Sequence, residues 1–155
     1  MLEAAPYWAC ASRTAPTAMY RFAIVASEYN SVITDRLIEG AKRALKAQKE
    51  VTLIRVPGGF EVPLAVKQAA ASKKYDGIVA LGCVIRGETP HFEYISRAVS
   101  EGLQSVALET GIPIGFGVLT VLTVEQAMER SGEAGNKGFE AATAALEMID
   151  VLRKI

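Results

Sequence analysis

The most constraining feature of the sequence is a run of nine apolar or small residues, Gly77–Ile85, which reads GIVALGCVI. A strand that is apolar on both of its faces must be covered on both faces, and this is the situation of a strand inside a parallel sheet. Three further short apolar segments are predicted as strands: Arg21–Ser27, Val51–Val56 and Ile112–Leu119. The chain is therefore expected to fold around a buried sheet.

Helical patterns alternate with these strands. Ser31 is expected to cap a helix that runs to about Gln48. Thr89 and Pro90 are expected to be the N-cap and the first residue of a long helix that ends near Thr110. The other predicted helices span about Phe60–Ser72, the segment from the capping box Thr123–Gln126 to Arg130, and the residues after a glycine-rich link, Ser131–Gly138. The alternation predicts a three-layer α/β fold, in which a four-stranded parallel sheet with flavodoxin-like winding is flanked by helices on both faces.

Length and composition fit one compact domain. The chain has 155 residues, of which 50% are hydrophobic and 22% are charged, and a domain of this length needs no disulfide or metal support. Residues 1–20 show no periodicity and are interpreted as an N-terminal arm, so the single α/β catalytic domain is assigned to residues 21–155. The 17 basic and 17 acidic residues balance, which argues against binders of nucleic acids or acidic membranes, since these usually carry a basic excess.

The two cysteines, Cys10 and Cys83, are too few for a disulfide framework, and neither lies in a metal-ligand spacing. No segment approaches the roughly 20 apolar residues that a membrane span needs. Met1–Tyr20 lacks the pattern of a signal peptide. These observations predict a cytoplasmic protein with a buried Cys83 and no bound metal.

Ligands of such parallel sheets bind beyond the carboxyl ends of the strands, so the loops there form the candidate site. After the first strand come Tyr29 and Asn30 instead of a G-x-G-x-x-G dinucleotide motif. The Tyr29 ring is suited to stacking on a flat heterocycle, although a tyrosine here equally serves as a cap on the core. After the second strand, Gly58 and Gly59 allow the backbone to approach a ligand closely, and Glu61 either contacts that ligand or only stabilises its helix.

The loop after the third strand has the composition of an anion site. Gly87, Glu88 and Thr89 lead into a helix N-terminus, where free backbone N–H groups favour a phosphate. His91 is the only histidine of the chain, and the positive end of the helix dipole favours its neutral imidazole, which can accept a proton. A single histidine is more often structural, but its place beside an anion loop favours a catalytic role.

The last strand and the helix after it supply two further candidates. Phe116 lies between Gly115 and Gly117, which leave its ring exposed. Arg130 ends a short helix, where its guanidinium either clamps a phosphate or only interacts with the helix dipole.

Five ordered segments resemble the 6,7-dimethyl-8-ribityllumazine synthase family, and the resemblance runs from about Arg21 to the C-terminus. The segments are Tyr29-Asn30, PGGFEVP at 57–63, GCVIRGETPHFEY at 82–94, IPIGFGVLT at 112–120 and EQAMERSGEAGNKG at 125–138. The resemblance implies a transferase of riboflavin biosynthesis, which joins 5-amino-6-(D-ribitylamino)uracil to 3,4-dihydroxy-2-butanone 4-phosphate and releases phosphate and water. It implies neither a metal nor an organic cofactor.

The resemblance also assigns a role to each candidate residue. His91 is the catalytic residue, which transfers protons, and Tyr29 stacks on the pyrimidine. The resemblance implies that Asn30 and Glu61 bind the pyrimidine and ribityl groups, within a wall formed by Gly59, Phe60, Val84 and Ile85. It implies that Gly87, Glu88 and Thr89 bind the phosphate. The remaining substrate-binding residues, which would come from an adjacent subunit, are Phe116, Arg130 and Lys137. The segment from Arg130 to Lys137 is one residue shorter than in many family members and has Glu133 in the region where they carry a lysine.

By the same resemblance the chain forms a homo-oligomer with shared active sites, either a pentamer or an assembly of pentamers such as a decamer or an icosahedral capsid. The absence of an insertion around Gly132–Gly138 favours the capsid, the arm is expected to lie against a neighbour, and riboflavin synthase is a candidate partner.

Three alternative functions stay open. An archaeal-type riboflavin synthase has the same fold but no phosphate to bind. A flavin- or nucleotide-binding module would carry a Ser/Thr-rich loop after the first strand, and a non-catalytic shell protein would not need Glu61, His91 and Arg130.

Overall fold

The computed structural model describes residues 18–155, so most of the predicted N-terminal arm lies outside the described residues, and its boundary at residue 20 stays a prediction. The elements, in chain order, are β1 (Arg21–Ser27), α1 (Ser31–Ala44), β2 (Glu50–Val56), a one-turn 3₁₀ helix (Gly59–Glu61), α2 (Val62–Ala71), β3 (Gly77–Ile85), α3 (His91–Thr110), β4 (Ile114–Val121), α4 (Val124–Arg130) and α5 (Lys137–Leu152). The four strands are all parallel, in the order β2-β1-β3-β4. This arrangement confirms the α/β fold class and its flavodoxin-like winding.

Strand β3 is buried on both faces, as its composition predicts. Val79 and Leu81 face a core formed with α1 and α5, whereas Ile78 and Ala80 face a second core formed with α2 and α3. All four side chains are fully buried. Two helical layers therefore cover both faces of β3, and the end of this strand remains free to build a site.

The start and the end of α1 differ from the prediction. Asn30, not Ser31, is the N-cap residue, with a left-handed backbone (φ 59°, ψ 45°) that asparagine tolerates better than most residues. The helix ends at Ala44, short of Gln48. The Gln48 side chain instead accepts a hydrogen bond from the Tyr20 N–H at 2.9 Å, which holds this residue in the turn before β2.

The start of α3 and the bounds of β4 also need correction. α3 begins at His91 with Pro90 as its N-cap, so the prediction that Thr89 caps this helix is wrong. β4 spans Ile114–Val121 instead of beginning at Ile112. Proline carries no N–H for a strand ladder, so regular pairing starts only after Pro113, whose carbonyl accepts from Ile78 N at 3.0 Å.

The link before α5 is fixed by Asn136. Its Oδ1 accepts from the Phe139 N–H at 3.0 Å and so caps α5, while its Nδ2 donates to Arg36 O at 3.1 Å in α1. A β-carbon on Gly138 would overlap the backbone of Leu37, which means that α1 and α5 touch through their backbones at this point. The predicted capping of α4 by Thr123 is confirmed, since its Oγ1 accepts from the Gln126 N–H at 3.2 Å.

Candidate active site

The loops after β1 and β2 lie side by side at the carboxyl edge of the sheet. The Glu28 N–H donates to Val56 O at 2.8 Å and the Tyr29 N–H to Pro57 O at 3.1 Å, so backbone hydrogen bonds continue beyond both strands. The aromatic side chains of Tyr29 and Phe60, which these loops carry, are 72% and 62% exposed. This exposure excludes the alternative that Tyr29 caps the core.

The 3₁₀ helix brings the loop after β2 against the end of β3. A β-carbon on Gly59 would lie 3.7 Å from Val84 Cγ2, which is an ordinary van der Waals distance. Glu61 is exposed, and its Oε2 lies 3.1 Å from the place that a β-carbon of Gly58 would occupy. The structure therefore brings Gly59 and Val84 into one wall, beside an exposed carboxylate.

The loop after β3 presents free backbone donors. The Arg86 N–H donates to the carbonyl of Val121 at 2.9 Å, which ties the start of the loop to the end of β4. The next three N–H groups, those of Gly87, Glu88 and Thr89, have no hydrogen-bond partner within the described part of the chain. A β-carbon on Gly87 would meet nothing within 4 Å. Unpaired N–H groups beside open space at a helix N-terminus are suited to an anion.

His91 is the first residue of α3 and follows this loop directly. Its side chain is exposed, and among residues 18–155 it makes no hydrogen bond or ion pair. Ile85, the last residue of β3, lies partly buried at the other end of the loop. The imidazole is thus not a buried structural group with satisfied nitrogens, and it is accessible to a ligand.

Asn30 connects the loop after β1 to the neighbouring strand β3. Its Nδ2 donates to the backbone carbonyl of Cys83 at 2.8 Å, across 53 residues of sequence. The Cys83 side chain points into the core, as predicted, and burial raises the pKa of its thiol to about 11. Sequence reasoning missed the hydrogen bond from Asn30, because the only local signal was that asparagine tolerates a left-handed backbone.

The side chains of Phe116, Arg130 and Lys137 form no hydrogen bond or ion pair with these residues in the described part of the chain. Phe116 is half exposed and pairs with Ala80, five residues before the end of β4, which places it about 16 Å back along the strand. There it lines a groove of about 780 Å³ between α3 and β4. Arg130 donates to Gln126 O at 3.1 Å.

Lys137 Nζ is engaged by Glu140 Oε2 at 2.7 Å, within the first turn of α5. A single chain therefore gathers most of the predicted site residues but leaves Phe116, Arg130 and Lys137 without a visible connection to them.

Over residues 18–155, no group of three or more His, Cys, Asp or Glu side chains is arranged to hold a metal ion. In the same part of the chain, no helix has both the length and the apolar character to cross a membrane.

The carboxyl edge thus combines exposed aromatic rings, a carboxylate, an imidazole and unpaired N–H groups around a doubly wound parallel sheet. This combination is typical of a class of α/β enzymes that take small organic substrates at the ends of their strands.

The comparisons with known proteins narrow this class to one family. A family model described as 6,7-dimethyl-8-ribityllumazine synthase matches residues 19–153. Proteins of that name from Syntrophus aciditrophicus and Campylobacter lari are each 50% identical to this chain over 140 residues, and the one from Nitratidesulfovibrio vulgaris is 51% identical. Each match covers 87% of this chain and 90% or 91% of the relative. The chain belongs to the 6,7-dimethyl-8-ribityllumazine synthase family.

Proposed function

We propose that this chain is a transferase of riboflavin biosynthesis, which condenses 5-amino-6-(D-ribitylamino)uracil with 3,4-dihydroxy-2-butanone 4-phosphate. The products are 6,7-dimethyl-8-ribityllumazine, phosphate and two molecules of water. The observation that carries the proposal is the carboxyl edge itself, where exposed Tyr29 and His91 flank an anion loop with unpaired N–H groups. The family match over residues 19–153 supports it.

The pyrimidine substrate is assigned to the loops after β1 and β2. The exposed ring of Tyr29 stacks on the flat heterocycle, and Phe60 adds a second aromatic surface on the adjacent loop. Asn30 and Glu61 meet the polar pyrimidine and ribityl groups. Gly59, Val84 and Ile85 form the wall, which has little polar surface and leaves recognition to these side chains.

The phosphorylated substrate is assigned to the loop after β3. The free N–H groups of Gly87, Glu88 and Thr89 bind the phosphate and stabilise it as it leaves. His91 adjoins this loop, so its imidazole is placed to take a proton from the carbon skeleton and to return it to a leaving oxygen.

The chemistry proceeds in three steps that these groups serve. The 5-amino group attacks the ketone, and water leaves as the imine forms. Loss of a proton from the carbon skeleton, which His91 accepts, expels phosphate. The ribitylamino nitrogen then closes the ring on the remaining carbonyl with loss of the second water. Holding two substrates in contact is a large part of such catalysis, since well-oriented partners react as if at about 10⁵ M or more.

We further propose that each site is completed by a neighbouring subunit in a homopentamer or an assembly of pentamers, as the capsid-type members of the family form. The support lies in the position of Phe116. Phe116 exposes half of its ring on a groove that is about 16 Å back along β4, too distant to serve the site of its own chain. Supplied by a neighbour, its ring, the Arg130 guanidinium and Lys137 would close the site, with Arg130 on the phosphate.

A direct product assay tests the function. Purified protein mixed with the two substrates should form the fluorescent lumazine and release one phosphate per product, and activity should persist when a chelator is present. The archaeal-type riboflavin synthase alternative instead forms riboflavin from two lumazines, and the shell and flavin-binding alternatives form neither product. Absence of lumazine from a folded, assembled protein would refute the proposal.

The same assay on mixed oligomers tests the shared site. His91→Ala chains and Arg130→Ala chains that are refolded together should place both intact residues at about a quarter of the interfaces of a closed ring, and activity should reappear to that extent. Preformed oligomers of the two variants that are only combined should keep the low activity of the separate variants. Co-refolded rings that mass spectrometry shows to be mixed, yet that remain inactive, would show that each site lies within one subunit.

A further inference from the structure

The backbone of Asn30 has an unusual conformation for a residue that begins a helix. Of the described residues other than glycine, only Asn30 and Lys73 have a positive φ, 59° and 58° respectively. An asparagine at an N-cap normally uses its side chain to accept from the first turn of its helix. Asn30 makes no such bond, and its side chain points away from α1 to the neighbouring strand. A strained residue with a redirected side chain indicates a constraint from outside the helix.

The constraint on Asn30 comes from the point where β1 and β3 stop pairing. The two strands pair only as far as Ala26 and Leu81, whereas β3 goes on pairing with β4 up to Ile85 and Val121. Beyond Leu81, β3 has therefore lost its neighbour on one side. The Asn30 side chain fills this role, because its Nδ2 donates to Cys83 O at 2.8 Å where β1 no longer offers a backbone donor.

On its other side, the same loop remains attached to β2 through its backbone. The Glu28 and Tyr29 N–H groups donate to Val56 O and Pro57 O, at 2.8 Å and 3.1 Å. The loop with the Tyr29 ring is therefore attached to β1 and β2, whereas the anion loop and His91 follow β3. The side-chain amide of Asn30 therefore links the part of the edge formed by β1 and β2 to the part formed by β3.

We propose that Asn30 is a positioning residue, whose bond to the Cys83 carbonyl sets the distance between the pyrimidine half and the phosphate half of the site. This inference rests on the proposed condensation of two substrates. The orientation of the amide follows from its partner, because a carbonyl only accepts and the NH₂ group must face it. The Oδ1 of Asn30 has no partner within residues 18–155, so it remains available to a donor on the substrate.

Asn30→Asp separates these two roles. Aspartate tolerates the left-handed backbone and keeps an acceptor oxygen for the substrate, but the carboxylate cannot donate to Cys83 O. We expect kcat to fall at least about tenfold with little change in KM for either substrate, since each half still binds and only their relative placement is lost. Asn30→Gly also removes the donor while permitting the backbone, and it should lower kcat similarly and raise KM for the pyrimidine.

Lys73→Gly is the matched control. It relieves the only other positive φ among the described non-glycine residues, in the turn after α2 at the opposite end of the sheet, and should leave kcat and both KM values unchanged. Asn30→Asp with the kcat of the wild type, or with only a raised KM for the pyrimidine, would overturn the proposal. A wild-type protein that makes no lumazine would instead refute the proposed function.

An NMR measurement on the unliganded wild type is independent of activity and of whether the variants fold. The side-chain NH₂ of Asn30 should exchange with solvent more slowly than the amides of exposed glutamines such as Gln104, because one of its protons is bonded to Cys83 O. Exchange of the Asn30 amide as fast as that of Gln104 would show that the bond is absent and would overturn the proposal.

Discussion

The two edges of the sheet differ in whether the polar and aromatic side chains compared below have partners within the chain. At the amino edge these groups are engaged: the Tyr20 hydroxyl donates to Asp150 at 2.8 Å, the Arg21 N–H donates to Asp76 at 2.8 Å, and the Arg153 guanidinium lies 4.7 Å from the centre of the Tyr20 ring. Tyr20 itself is buried, with 3% of its surface exposed. This edge contributes to the stability of the domain.

At the carboxyl edge the groups are left free. The rings of Tyr29 and Phe60 are largely exposed, and His91 and Glu61 have no ion-pair partner among the described residues. Exposed apolar rings and unpaired donors gain nothing for the fold, so the proposed binding of substrates would explain their presence at this edge. The comparison predicts that substitutions at one edge change activity, and that substitutions at the other change stability.

The largest expected effect is that of His91→Ala on catalysis. General acid–base help is worth about a hundredfold at the low end of its range, and positioning of the substrates persists in the variant. We therefore expect kcat to fall by about a hundredfold, equivalent to about 2.7 kcal/mol of barrier. The unfolding midpoint in urea should not change, since the side chain is exposed and without partners. An unfolded variant, or one with undiminished kcat, would contradict the catalytic assignment and weaken the contrast between the edges.

Two glycines at opposite ends of β3 sharpen the comparison. In Gly77→Ala, the new methyl group would lie 2.5 Å from Cε1 of the buried Phe22 ring, and the free energy of unfolding should fall by about 2 kcal/mol. In Gly87→Ala, the methyl group enters open space, so stability should change by less than about 0.5 kcal/mol. The space there is assigned to phosphate, so KM for the phosphorylated substrate should rise. Urea denaturation and steady-state kinetics on both variants test this pair, and equal loss of stability in both would break the contrast.

The sequence was most informative where one interaction dominates. The apolar run in β3 predicts its bounds and its burial on both faces, because covering its seven apolar side chains outweighs any local preference of the backbone. The candidate loops follow from the same pattern, since the topology of a parallel sheet brings the carboxyl ends of its strands to one edge.

Prediction failed where contacts between distant segments decide the local structure. Asn30 replaces Ser31 as the cap of α1, and its side chain bonds to a carbonyl 53 residues away, which no local pattern encodes. The start of β4 shifts because Pro113 interrupts the ladder. The roles proposed for Phe116 and Arg130 involve a second chain, and periodicity within one chain carries no information about such a neighbour.

The smallest expected effect is that of Tyr20→Phe at the amino edge. The variant keeps the ring under Arg153 but loses the hydrogen bond to Asp150, so the free energy of unfolding at pH 7 should fall by about 1 kcal/mol. No group of the candidate site changes, so kcat and both KM values should equal those of the wild type. Loss of activity without loss of stability would show that the amino edge is not purely structural.

The pH dependence of this difference identifies the hydroxyl as its source. Burial, and then the hydrogen bond and negative charge of Asp150, raise the pKa of Tyr20 above its ordinary value of 10.0. The folded state therefore holds the phenolic proton at pH values where the unfolded chain has already released it, and the stabilisation is complete below about pH 10 and lost as the pH rises through the folded pKa. The stability advantage of the wild type over Tyr20→Phe should consequently be constant from pH 7 to 9 and shrink above about pH 10. The other ionisable groups are the same in both proteins, so they do not contribute to this difference. A difference in urea midpoints that stays constant into the alkaline range would mean that the hydroxyl is not held by Asp150, and that the amino edge is less firmly paired than its geometry indicates.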